Sequence, residues 1–114
     1  MQSDFRVDVR TEGRASIIAV SGELDLATSP SLEAEFERFS GTPSELLVLD
    51  LRQLEFMDST GLSVIVKTHQ RLAENGRALY VVRGPQQVQR LLDLTGVAER
   101  IQLADTPEEI LNGA

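Results

Sequence analysis

The chain has 114 residues, a net charge of −7 and no cysteine. That length holds one domain, with no room for a second core, and the missing thiols remove disulfides, Cys-ligated zinc and thiol catalysis. The few basic residues are scattered, which argues against the counterion-displacing surface that nucleic acid requires, and the acidic balance opposes direct contact with an anionic membrane.

Phe5 to Val9 alternates apolar and polar, with Phe5, Val7 and Val9 to one side, which predicts a half-buried strand. Glu12-Gly13 is a turn signal, and Ala15 to Val20 reads as the hairpin partner. Ser21-Gly22-Glu23-Leu24-Asp25-Leu26 then breaks the apolar run and leads into a helix. Ser29-Pro30 marks its start, with Ser29 as the cap and Pro30 in the first helical position, where no N–H is needed. Leu32, Phe36 and Phe39 share one face, Glu33, Glu35, Glu37 and Arg38 point mostly outward, and Gly41 and Pro43 end the helix.

Glu45 to Leu51 is short and nearly all apolar, as a strand buried on both faces reads. Its exit, Phe56-Met57-Asp58-Ser59-Thr60-Gly61, is polar and opens a second helix, whose predicted buried face is Leu62, Ile65, Val66, His69, Leu72 and Ala73. Asn75-Gly76 stops that helix. Ala78 to Val82 is a further buried strand, and Gly84-Pro85 starts a third helix with Val88, Leu91, Leu92 and Thr95 inward and Gly96 just past its end. Ile101 to Leu103 reads as a short edge strand, and Thr106-Pro107-Glu108-Glu109 as a capping box for a last helix carrying Ile110 and Leu111. Strand–helix alternation after an opening hairpin predicts an α/β fold with a mixed, largely parallel sheet of four to five strands and about four helices. No apolar run approaches a bilayer span and the first residues have no apolar signal core, so a cytoplasmic protein is expected.

Chemistry concentrates in Asp58-Ser59-Thr60-Gly61, between a buried strand and a helix N-terminus. Partner and ligand sites gather at the carboxyl ends of strands in such folds, and a helix N-terminus favours negative charge. Asp, Ser and Thr are also preferred caps, so capping and function both fit the same residues. Gly61 in the first helical turn costs roughly 0.5–1 kcal/mol relative to Ala, which points to a need for close approach. A nucleophilic role for Ser59 requires a base. The single histidine, His69, lies on the predicted apolar face roughly 15 Å further along the helix, out of reach. His69 has no second metal ligand at suitable spacing, and Glu23 and Asp25, with no partner group, read first as a solvated loop. Neither an enzyme nor a cofactor or metal site is expected.

Three segments together carry a family resemblance: Ser21-Gly22-Glu23-Leu24-Asp25-Leu26, Leu49-Asp50-Leu51 with Phe56-Met57-Asp58-Ser59-Thr60-Gly61-Leu62, and Leu91-Leu92-Asp93-Leu94-Thr95-Gly96-Val97. In this order and spacing the chain resembles, over nearly its whole length, the STAS domain of bacterial anti-sigma factor antagonists. The resemblance implies a single STAS domain over residues 1–114 that binds an anti-sigma factor serine kinase and so frees a sigma factor. It implies phosphorylation at Ser59, which ends binding, and resetting by a PP2C-type phosphatase. Thr60 stands where some members carry a second modified hydroxyl. Asp25 matches the family's loop aspartate and Asp58 its motif aspartate, which places partner contact on Glu23, Asp25, Asp58, Ser59, Thr60 and Gly61. Met57, where Ile or Leu is usual, and Arg100-Ile101-Gln102-Leu103, without the frequent Phe, are departures outside the switch. The alternative job for the same fold is as a subunit of a lipid transporter or of a stress-signalling assembly.

Overall fold

The computed structural model describes residues 5–113. The opening hairpin is formed by β1 (Arg6–Glu12) and β2 (Ala15–Leu24), paired antiparallel with Val9 opposite Ile18. The chain then crosses through α1 (Ser29–Ser40) to β3 (Leu46–Met57), through α2 (Ser59–Glu74) to β4 (Ala78–Val82), and through α3 (Gln86–Leu94) with a 3-10 turn at Val97–Glu99 to β5 (Gln102–Ala104). The final element is α4 (Pro107–Gly113). The sheet order is β1-β2-β3-β4-β5, and every pairing after the hairpin is parallel. This is the predicted mixed sheet, with all five strands present.

Two apolar clusters explain the reading of the central strands. Leu47, Leu49 and Leu51 of β3 pack on one sheet face with Ile18, Val20, Leu79 and Val81, under α1, α2 and α3, through Leu32, Phe36, Leu62, Ile65, Val88 and Leu92. Val48 lies on the opposite face with Ala15, Ile17, Val82 and Ala104, under Ile110 of α4. A strand buried on both sides has no polar alternate to show, hence the continuous apolar run. Asp50 is the exception, 6% exposed and held by the Arg52 guanidinium, with Nη2 donating to Oδ2 at 2.8 Å. The hydrogen bonds to Asp50 raise the Arg52 pKa above its already high ordinary value.

Several boundaries and faces differ from expectation, each for a physical reason. β2 does not stop at Val20. It continues through Ser21 to Leu24 beside the extended β3, pairing Ser21 with Gln53 and Leu24 with Met57 across two register shifts. Gly22 and Leu24 are buried while Glu23 is exposed, so the polar residues mark the solvent side of a strand, not its end. β3 likewise runs to Met57, with Leu54 and Met57 buried and Arg52, Gln53, Glu55 and Phe56 exposed. In α1, Ser29 is the first helical residue and Thr28 the cap position, so Ser29 is not the cap. In α2, Val64 is buried, His69 and Val66 are half-buried, and Ala73 is exposed beside a buried Leu72, because α1 packs against α2 and covers the flank that carries Val64. Thr95 is exposed at the end of α3, its hydroxyl donating to Leu91 O at 2.7 Å. Val9 shares a face with Val7 but remains 52% exposed at the sheet edge. β5 lies one residue later than predicted, and Glu109 accepts from Asp105 N rather than Thr106 N, so the capping box closes one residue early.

Candidate functional site

The carboxyl ends of β2 and β3 finish side by side, with Glu23 opposite Phe56 and Leu24 opposite Met57. Asp58 follows β3, and its backbone N–H donates to Leu24 O at 3.1 Å, tying the two strand ends together. Asp58 is the N-cap of α2, in extended conformation, and its Oδ1 accepts from Thr60 N at 2.9 Å and Gly61 N at 3.1 Å. The capping reading of Asp58 is therefore correct. It leaves the neighbouring Ser59, at the first position of α2, exposed and without a side-chain hydrogen bond to another described residue. Thr60 is half-buried.

Gly61 is buried where the first turn of α2 presses on Leu24. A Cβ there would stand 2.6 Å from Leu24 Cγ, 2.8 Å from Cδ2 and 3.2 Å from the Leu24 carbonyl oxygen. The glycine cost noted from sequence thus goes to close helix–strand approach, and that approach sets the distance between the Glu23–Asp25 segment and Ser59.

Asp25 is not part of a solvated loop. Its Oδ1 accepts from Ala27 N at 3.0 Å and Thr28 N at 3.1 Å, and its backbone N–H donates to Thr28 Oγ1 at 2.9 Å. Thr28 Oγ1 in turn donates to Glu23 O at 2.8 Å, and Ser29 N donates to Asp25 O at 2.8 Å. Asp25 therefore shapes the turn that carries β2 into α1, while α1 itself has no side-chain cap. Glu23 stays exposed.

Two apolar side chains that the sequence reading did not assign to the site flank it: Leu26 is 75% exposed and Phe56 47% exposed. Leu26 follows Asp25 directly, and Phe56 pairs with Glu23. Their signal in the sequence was an apolar residue on the polar alternate of a strand or turn. His69 sits further along α2, half-buried, with Nδ1 lacking a partner. No cluster of three metal-ligating side chains occurs among the described residues, and no described helix is long and apolar enough to cross a membrane. The surface around Ser59 thus carries carboxylates of Glu23, Asp25 and Asp58, a helix N-terminus, and two exposed apolar groups. Such a surface suits docking of a macromolecule better than enclosure of a small substrate.

Removing the cap should register as stability. Asp58→Ala is expected to lose about 1–2 kcal/mol by leaving the Thr60 and Gly61 N–H groups unpaired, and Asp58→Asn should recover most of it. Urea unfolding of the two variants checks this, and equal losses would show that charge rather than capping is what Asp58 supplies.

Comparison with known proteins agrees with this geometry. Residues 6–110 match the STAS domain. The chain is 27% identical over 105 residues to an anti-sigma-B factor antagonist of Staphylococcus aureus, covering 92% of this chain and 97% of that one. It superposes on the crystal structure of an anti-sigma factor antagonist from Mycobacterium paratuberculosis with a TM-score of 0.88 and 28% identity, over 96% of this chain and 93% of the other. It shares the fold of the Bacillus cell fate determinant SpoIIAA in its phosphorylated form, with a TM-score of 0.73 and 19% identity over 94% and 97% of the two chains. With its sheet order, its Asp58-capped helix and these relatives, the chain belongs to the STAS-domain family of anti-sigma factor antagonists.

Proposed function

We propose that this protein is a phosphorylation-controlled antagonist whose unmodified form binds an anti-sigma factor serine kinase and thereby releases a sigma factor. The kinase phosphorylates Ser59, binding ends, and a PP2C-type phosphatase restores the starting form. The observation that carries the reading is the exposure of the Ser59 hydroxyl at the first position of a helix whose cap is supplied by its neighbour Asp58. The hydroxyl is free for transfer because capping does not occupy it.

The docking surface in this reading is Glu23, Asp25, Asp58, Ser59, Thr60 and Gly61, with Leu26 and Phe56 at its margin. The partner acts on Ser59; the single histidine, His69, lies further along α2. A phosphoserine adds about −1.5 to −2 charges. The positive end of the α2 dipole accommodates that charge in the free protein, so the fold is retained. At the interface the same phosphate opposes docking by its bulk, by its desolvation and by repulsion from any acidic group that the partner places opposite.

The test is to incubate the protein with a candidate anti-sigma factor kinase and ATP and to map the modified residue by mass spectrometry. A single added phosphate on Ser59, absent in Ser59→Ala, is the expected result. Phosphate on another residue, or undiminished labelling of Ser59→Ala, contradicts the assignment.

A further inference from the structure

Among the described residues β1 pairs only with β2, in an unbroken register without a bulge, and it contains no proline. Its outer edge is therefore a seven-residue strand on which every other residue turns its N–H and C=O outward, with no strand beside it among the described residues. Such edges recruit further strands unless something opposes it. Arg6, Asp8, Arg10 and Glu12 stand opposite Ser21, Ala19, Ile17 and Ala15, on the sheet face under α4, while Val7, Val9 and Thr11 lie on the other face.

The charges on that row alternate in sign, which makes the strand complementary to itself. If a second copy pairs antiparallel with Val9 opposite Val9, Arg6 falls opposite Glu12 and Asp8 opposite Arg10, twice each by symmetry. Slipping by one step in either direction brings like charges together, Asp8 on Asp8 with Arg6 on Arg10, or Arg10 on Arg10 with Asp8 on Glu12. Cross-strand neighbours of opposite sign stabilise a pair and like charges destabilise it. A charged edge that only repelled strands would need no such order. The existing Arg10–Glu12 contact at 2.9 Å joins two half-exposed side chains, an ion pair that gives way readily to a new one.

We propose that β1 is a homodimerisation edge, on which a second copy of this chain adds antiparallel about a two-fold axis at Val9 to form a continuous ten-stranded sheet. The contact is one strand wide, so the dimer is weak and concentration-dependent. It uses the margin of the sheet and leaves the strand ends at Ser59 uncovered.

Sedimentation equilibrium of the full chain up to about 1 mM tests this. The wild type should dimerise, and Asp8→Arg and Arg10→Asp should each weaken the dimer about tenfold or more. An equimolar mixture of the two variants should regain wild-type affinity, because each then meets its complement. Circular dichroism of each variant shows whether it is folded. Because the chain has no cysteine, Val9→Cys adds a lone thiol pair at the axis that should oxidise to a disulfide-linked dimer, and more slowly when combined with Asp8→Arg. A wild type that stays monomeric, variants that associate as the wild type does, or a mixture that fails to recover overturns the proposal.

Discussion

Ser59→Asp is expected to weaken binding of the anti-sigma factor by about tenfold or more, and phosphorylation of Ser59 by about 100-fold or more, while Ser59→Ala binds within about threefold of wild type. The ordering follows from charge. Aspartate adds one negative charge on a short side chain, and the phosphate adds nearly two with greater bulk and three strongly hydrated oxygens. A like charge brought to an interface costs several kcal/mol, and each 1.4 kcal/mol is tenfold in affinity. Alanine removes a hydroxyl that makes no hydrogen bond to another described residue, so the free protein loses nothing by it. Thermal unfolding of all three forms should agree within about 1 kcal/mol, since negative charge near a helix N-terminus is worth only 0.3–1 kcal/mol at an exposed site. Calorimetric titration against the partner reads the affinities. Tight binding by Ser59→Asp together with loss of binding by Ser59→Ala would point to a hydroxyl contact in place of a charge switch.

Substitutions at Gly61 should give the largest loss of stability at the site. Alanine gains about 0.5–1 kcal/mol in helix propensity over glycine. Against that, its Cβ would lie 2.6 Å from Leu24 Cγ, and Leu24 is fully buried and cannot swing aside. Relief requires α2 to move off β2, and overpacking of this kind costs about 1–3 kcal/mol. The clash wins, so Gly61→Ala is expected to destabilise by about 1–2 kcal/mol and Gly61→Val by about 3 kcal/mol. Gly41 is the control. Its φ is −88° and the nearest atom to an added Cβ is 3.7 Å away, so Gly41→Ala should be neutral or slightly stabilising. Urea unfolding measures all three. Because Leu24 also carries the carbonyl that holds Asp58 N, Gly61→Ala should weaken partner binding as well. A Gly61→Ala protein as stable as wild type would remove close packing as the reason for this glycine.

The parts of the fold that depend on local pattern were legible in the sequence. Leu32, Phe36 and Phe39 at helical spacing, and the apolar run from Leu46 to Leu51, leave few alternatives to a helix and a doubly buried strand. Asp58 at the start of α2 and Gly96 beyond α3, with φ +79°, follow from backbone chemistry that few residues satisfy. The misread positions are those decided by neighbours distant in the chain. Glu23 sits in a strand because β3 runs on to Met57 and offers a partner. Ser29 falls inside the helix and Thr28 takes the cap position, because the turn before it is closed by Asp25 and Thr28. At the site, the motif from Asp58 to Gly61 was visible as a cluster. Its contact with Leu24 was not, since sequence shows a glycine's cost and not the atom that requires it. Leu26 and Phe56 were overlooked because an apolar residue in a polar segment has no exposure until the surrounding strands are in place.

The central claim is that one phosphate on Ser59 abolishes docking while the fold is retained. The most direct measurement is to titrate Ser59-phosphorylated and unmodified protein against the anti-sigma factor kinase, with amide NMR spectra recorded on both forms. The account predicts affinity about 100-fold or more lower for the phosphorylated form, with shifts confined to the start of α2 and the Glu23–Asp25 turn. Equal affinity of the two forms, or shifts spread through the sheet, would contradict it.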